Sequence, residues 1–182
     1  MSIATPGLDA YRDMLPDELK DIRLNVAAVL TGENLQPAQA LGTAFASARF
    51  VRSRNLADAL ESDIRAGLGD AATAVISDAV AAAGLMAMNT VYYRFKHMLR
   101  KESYDARSPR LRMSRMAQPA TSKLDFELMS LGCAALAGCE LCIQNHEASL
   151  LHLGASDDAC HDAVRIAAVI NAVACGLGTQ PA

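Results

Sequence analysis

The sequence contains no tryptophan, and aromatic residues of every kind make up only 4% of it. Strands draw on aromatic and β-branched side chains. Here the apolar content rests on Ala, Leu, Val and Met, and three of those four favour helix. The chain is therefore expected to be all-α. A dominant charge is also missing. Against 20 acidic residues stand 17 basic ones, for a net charge of −3. No field of one sign results, so nucleic acid and anionic membrane are not expected partners. Residues 1–15 carry acidic side chains and no long apolar run, which is not the pattern of a secretory signal. The two most apolar stretches, 71–88 and 163–177, are interrupted by Asp78, Arg165 and Asn171. They fall short of the roughly 20 clean apolar residues of a membrane span and read as core helices. Five cysteines without an export signal point to a reducing, cytoplasmic setting, where a close pair is more often catalytic or metal-binding than structural.

What the chain does have is 182 residues, 52% of them hydrophobic, enough for one domain with a sizeable core. Helices are expected over 16–31, where Pro16 and two acids open the first turn, and over 38–52. A third runs from an Asn55 cap to about residue 66, and a fourth from an Asp70 cap to 88, continuing, with or without a bend, through 89–99. Residues 101–121, with Pro109, Pro119 and five basic side chains up to Arg115, read as a long connection of the kind that wraps a fold or serves function. Three helices follow over 122–137, 140–153 and 157–175, the last capped by Ser156. With a shift of 90 residues Leu41 and Gly42 fall on Leu131 and Gly132, Asn55 on Asn145 and Leu60 on Leu150. On that register Arg49 and Arg52 take the places of Cys139 and Cys142. Either two Ala-rich segments coincide by chance, or a helical unit is duplicated, with halves about 16–100 and 121–177.

The strongest local signal is Gly138-Cys-Glu-Leu-Cys142-Ile-Gln-Asn-His146. Spacings of three and four put Cys139, Cys142 and His146 on one helical face. A helix start carries partial positive charge, which favours a thiolate at Cys139, and the thiolate is the nucleophile of thiol chemistry. Three readings compete. A redox dithiol is favoured. A zinc site is second, but CxxC plus His supplies three ligands, and Cys133, Cys160 and Cys175 form no second pair to complete a tetrahedron. The third is two small buried hydrophobes beside a surface histidine. Glu147 adjoins His146 but points about 100° away on a helix. Glu127 lies in an apolar run, where a carboxylate would be costly without a role, although an ordinary solvated position is the commoner case. His97, His152 and His161 read as surface residues, and Cys133, Cys160 and Cys175 as core.

Taken together, Glu127, Cys139, Cys142 and His146, spaced twelve, three and four apart, resemble the catalytic signature of the alkyl hydroperoxide reductase D (AhpD) alkylhydroperoxidases, within the carboxymuconolactone decarboxylase-like superfamily. The segments Leu19-Lys-Asp-Ile-Arg-Leu-Asn25, Met86-Ala-Met-Asn-Thr-Val-Tyr-Tyr-Arg94, Leu111-Arg-Met113 and Phe126-Glu-Leu128 also read like that family, as does the total length. The resemblance implies a single all-helical domain over 1–182, built from a repeated unit and assembled as a homotrimer. It implies a peroxidase with no bound cofactor, supplied with electrons by dihydrolipoyl groups on the lipoyl domain of a 2-oxo acid dehydrogenase complex, and acting in turn as reductant of the peroxiredoxin AhpC. On the matching residues, Glu127 and His146 would relay protons. Cys142 would become the sulfenic acid. Cys139 would donate a proton, close the Cys139–Cys142 disulfide and exchange with partners. The family pattern has a second His directly before the second Cys. Leu141 stands there, so a simpler relay is expected. The alternative from another functional class is a non-redox, decarboxylase-like oligomer on the same fold.

Overall fold

The computed structural model describes residues 3–178, so the ends of the expected 1–182 domain lie outside the described residues. Among the described residues ten helices carry the chain: α1 (Pro6–Asp13), α2 (Lys20–Val29), α3 (Pro37–Phe50), α4 (Arg54–Leu68), α5 (Ala72–Leu99), α6 (Glu102–Asp105), α7 (Ser114–Ala117), α8 (Lys123–Ala137), α9 (Glu140–His152) and α10 (Asp157–Gly178). No strand occurs among the described residues. The fold is the all-α one that the scarcity of aromatic side chains implies.

Helices α3, α5, α8 and α10 form the centre. Small residues let them approach closely: Ala44, Ala46 and Ala48 of α3, Ala79 and Ala82 of α5, and Ala134 of α8 are all fully buried. A Cβ at Gly42 would run into Met129, and one at Gly132 would press on Thr43 and Ala167, so both glycines mark close seams. Phe45 and Phe126 fill the space between the helices, and burial of each contributes roughly 1.5–3 kcal/mol.

Several boundaries differ from the sequence expectation. Helix α1 has no counterpart in it. The start of α1 is stabilised from elsewhere in the chain: the amides of Gly7 and Leu8 donate to the buried Asp63 carboxylate of α4 at 2.8 and 2.9 Å. Ser53, not Asn55, stands at the N-cap of α4. Asp70 lies inside a short 3-10 turn, and Ala71 precedes α5. Helix α5 runs unbroken for 28 residues and α10 for 22. By length and composition both regions are apolar enough to cross a membrane, contrary to the shorter spans expected. In the fold, Val75, Ala79 and Met86 of α5, and Ile166, Ile170 and Val173 of α10, are packed inside the bundle. Residues 101–121 are a connection, as expected, with two single-turn helices within it.

The order α3–α4–α5 is repeated by α8–α9–α10. The starts of α3 and α8, the starts of α4 and α9, and the positive-φ residues Arg52 and Gly138 are each 86 residues apart. These landmarks share an offset of 86, and the starts of α5 and α10 are 85 apart, against the 90 of the sequence alignment. At this offset Ser53, Leu56 and Leu60 correspond to Cys139, Cys142 and His146.

Candidate active site

Helix α8 begins with a reciprocal cap. Ser122 accepts from the Asp125 amide at 3.0 Å, and Asp125 accepts back from the Ser122 amide. The helix ends at Gly138, whose φ is 62°, a value open to glycine without strain. That left-handed residue turns the chain directly into α9, with Cys139 as its N-cap and Cys142 in its first turn. The turn is held from outside by Arg94 of α5, which donates to the Ala137 carbonyl at 2.6 Å. The dithiol therefore sits at the positive end of α9, where thiolates are favoured. Cys139 and Cys142 are joined as a disulfide, with Cα atoms 5.3 Å apart. Ala134, Tyr93 and Ile143 pack around them.

His146 lies one turn beyond Cys142 on α9 and is buried. Its Nδ1 meets Glu127 Oε2 of α8 at 2.5 Å, and its Nε2 lies 3.2 Å from Met86 Sδ of α5. A carboxylate accepts, so Nδ1–H donates to Glu127, and the part Nε2 plays towards the Met86 thioether is set by the tautomer. Glu127 is itself 3% exposed. Its other oxygen meets the Lys123 ammonium at 2.8 Å. Burial alone would push this carboxyl up, but the hydrogen bonds from His146 and Lys123 outweigh it and hold Glu127 below the usual glutamate range. The solvated position that is commoner for such a glutamate does not hold here.

Above these groups is a cavity of about 400 Å³. Cys142, Asn145, His146 and Lys123 line one side, Asn89 and Tyr93 of α5 another, and Met113, Met116 and Ala117 of the connection close it. The connection is pinned by a residue that sequence reasoning does not single out as functional. Asp78, fully buried in α5, accepts from Arg115 Nε (2.7 Å), the Ala120 amide (3.0 Å), and the Thr121 amide and hydroxyl (2.7 Å each). Burial works against its charge, yet these donors keep its carboxyl below the ordinary aspartate range. The available signal is a lone acid in an Ala/Val helix. Lys123 adds a second tie, donating to the Met116 carbonyl at 2.7 Å.

All four residues singled out by the signature, Glu127, Cys139, Cys142 and His146, meet at this place. Two details depart from expectation. Cys139 has no exposed surface in the disulfide, whereas Cys142 opens on the cavity. Cys175 is exposed, not core. Burial pushes the thiols of Cys133 and Cys160 up, away from thiolate at neutral pH. His152 and His161 face solvent, and His97 lies 3.7 Å from the exposed Glu140. Among the described residues no group of three or more His, Cys, Asp or Glu side chains is placed to hold a metal ion.

Residues 104–174 match the carboxymuconolactone decarboxylase family. Similarity to curated proteins extends over nearly the whole chain. Alkyl hydroperoxide reductase AhpD of Anaeromyxobacter dehalogenans (strain 2CP-C) is 50% identical over 171 residues, covering 94% of this chain and 90% of the relative. The AhpD of Rhodopseudomonas palustris (strain BisB18) is 41% identical, covering 92% and 91%. That of Maricaulis maris (strain MCS10) is 38% identical, covering 96% and 99%. With a buried dithiol, a histidine–glutamate pair on the same cavity and relatives matched along most of their length, the chain belongs to the AhpD family of the carboxymuconolactone decarboxylase-like superfamily.

Proposed function

We propose that the protein is an antioxidant oxidoreductase that reduces alkyl hydroperoxides at the Cys139–Cys142 dithiol and is recharged by dihydrolipoyl groups. The observation that carries this reading is one juxtaposition: Cys142, at the start of α9, opens on a cavity walled mostly by apolar side chains beside the His146–Glu127 pair. In the reduced protein, His146 takes the Cys142 proton and Glu127 stabilises the imidazolium that forms. The Cys142 thiolate attacks the terminal oxygen of ROOH. An S–O bond forms, the O–O bond breaks, and the alkoxide leaves as ROH after taking a proton from His146 or Cys139. Cys139 then displaces hydroxide from the sulfenic acid, which leaves as water, and the disulfide closes. A dithiol of dihydrolipoyl type reopens it by exchange, and that group is oxidised to its cyclic disulfide.

The protein-bound donor in this reading is the lipoyl domain of a 2-oxo acid dehydrogenase complex, and the protein acceptor is AhpC, through Cys139. Because Cys139 is covered in the disulfide, that exchange requires it to become accessible. The setting is the cytoplasm, with no bound cofactor. A homotrimer draws support from the outer face of α5, where Val91, Phe95 and Met98 are 63%, 44% and 73% exposed. They form an apolar stripe at helical spacing, of the kind that marks an interaction surface.

The test is hydroperoxide consumption with dihydrolipoamide, glutathione or thioredoxin as reductant. Turnover is expected with dihydrolipoamide and is abolished by Cys142→Ser. Cys139→Ser accumulates mixed disulfides or over-oxidised Cys142. Full turnover by Cys142→Ser contradicts the reading.

A further inference from the structure

The segment 86–94 of α5 serves the site at almost every turn. Met86 lies under His146, Tyr93 packs on the dithiol, and Arg94 fixes the Ala137 carbonyl. Asn89 is the member these roles leave unexplained. It is 4% exposed and lines the cavity opposite Cys142, His146 and Lys123. Its Oδ1 is buried and has no hydrogen-bond partner among the described residues. Its Nδ2 reaches only the Met116 thioether, at 3.7 Å, and a thioether is a weak acceptor. Buried amides are normally satisfied, so one that is not calls for a functional explanation.

The polar groups around it do not supply a partner. Lys123 is committed to Glu127 and the Met116 carbonyl, and His146 Nδ1 to Glu127. The rest of the wall is Asn145, exposed on α9 and not hydrogen-bonded to Asn89, with Met113, Met116, Ala117 and Tyr93. Oδ1 is buried where it stands, and the broad Asn χ2 torsion lets it rotate to the cavity wall when a ligand offers a donor.

We propose that Asn89 orients the hydroperoxide, with its oxygen accepting from the terminal O–H and its nitrogen donating to the inner, alkoxy oxygen. This deepens the peroxidase reading and rests on it. A hydroperoxide carries one donor and an adjacent acceptor, and a carboxamide presents the complementary pair. In the step at Cys142, the S–O bond forms at the terminal oxygen while negative charge grows on the inner one. The Nδ2–H donor faces the atom where that charge develops, so Asn89 assists the transition state more than the ground state. The apolar remainder of the cavity holds the alkyl group. Cumene hydroperoxide is accordingly favoured over hydrogen peroxide.

The experiment compares wild type with Asn89→Leu and Asn89→Asp in the reduced protein. Three quantities are read: the rate of Cys142 oxidation by cumene hydroperoxide, the rate of Cys142 alkylation by iodoacetamide, and reduction of the disulfide by dihydrolipoamide. Loss of a transition-state donor is expected to slow oxidation about 100-fold in both variants. Alkylation and disulfide reduction stay within about twofold of wild type for Asn89→Leu. Its thermal midpoint does not fall, because an apolar isostere replaces an unsatisfied amide. Oxidation at the wild-type rate in Asn89→Leu overturns the assignment alone. So does a parallel loss of oxidation and alkylation, which marks a structural role. A wild-type protein whose Cys142 is inert to cumene hydroperoxide, yet alkylates normally, overturns the peroxidase reading and this assignment with it.

Discussion

Glu127 sits where water scarcely reaches and is hydrogen-bonded on both oxygens, to a ring nitrogen and to an ammonium. Its charged carboxylate fixes the orientation of the ring. Glu127→Gln keeps the shape but removes that charge, and hydroperoxide turnover is expected to fall by about 10- to 100-fold. In the proposed relay His146→Gln removes the proton carrier, with an expected loss on the order of 100-fold, visible as slower Cys142 alkylation near neutral pH. If alkylation of His146→Gln matches wild type, His146 does not serve the thiol. Cys142 and His146 are legible in the sequence because they share one helix, where spacing fixes facing. Glu127 is not legible from spacing alone, because its partner lies nineteen residues away on the next helix. The bare sequence makes a solvated glutamate the commoner case, and only the family signature points the other way. Asn89 and Lys123 give no local signal, since their relevance arises from the packing of α5 and the connection against α9.

At the scale of elements, one joint positions the dithiol and a second holds the connection at the cavity. Gly138 allows α8 to turn into α9 with a φ of 62° and has open space where a Cβ would go. Gly138→Ala therefore costs only backbone strain, about 1 kcal/mol of stability, with no clash. Urea unfolding measures it. The second joint is Asp78, which gathers four hydrogen bonds from Arg115, Ala120 and Thr121. Asp78→Ala leaves those donors unpaired and is expected to cost about 3 kcal/mol or more, and to raise hydrogen exchange at the Ala120 and Thr121 amides. Unchanged exchange there shows that the connection is held by other contacts. The helix centres are readable from Ala-rich runs and glycine stops. What composition cannot show is α1, whose start depends on Asp63 from fifty-six residues away, and the anchoring of the connection by a single acid on α5.

For the whole molecule, both Asp78 and Glu127 have carboxyls held below their ordinary values of 3.8 and 4.5. Groups depressed on folding add stability above their unfolded values, and that stability drains as pH falls through the folded ones. The thermal midpoint is expected to be level down to about pH 5 and to drop below it, with a shallower drop in Asp78→Asn. An equal slope in that variant would assign the acid sensitivity elsewhere. The element starts and the left-handed turn residues share an offset of 86, whereas the 90-residue alignment matches isolated residues. Single coincidences of Leu and Gly are frequent in Ala-rich helices, whereas helix starts and a left-handed turn residue are constrained by the backbone. At that offset the first half carries Ser53 and two leucines where the second carries its thiols and histidine, so the proposed thiol chemistry belongs to the second half. The most direct test of that chemistry asks which sulfur meets the peroxide. The Cys139→Ser and Cys142→Ser proteins, each reduced and then given one equivalent of cumene hydroperoxide with a sulfenic-acid trap, are read by peptide mass spectrometry. The account predicts rapid trapping at Cys142 in Cys139→Ser and little at Cys139 in Cys142→Ser. Equal or faster trapping at Cys139 would contradict it.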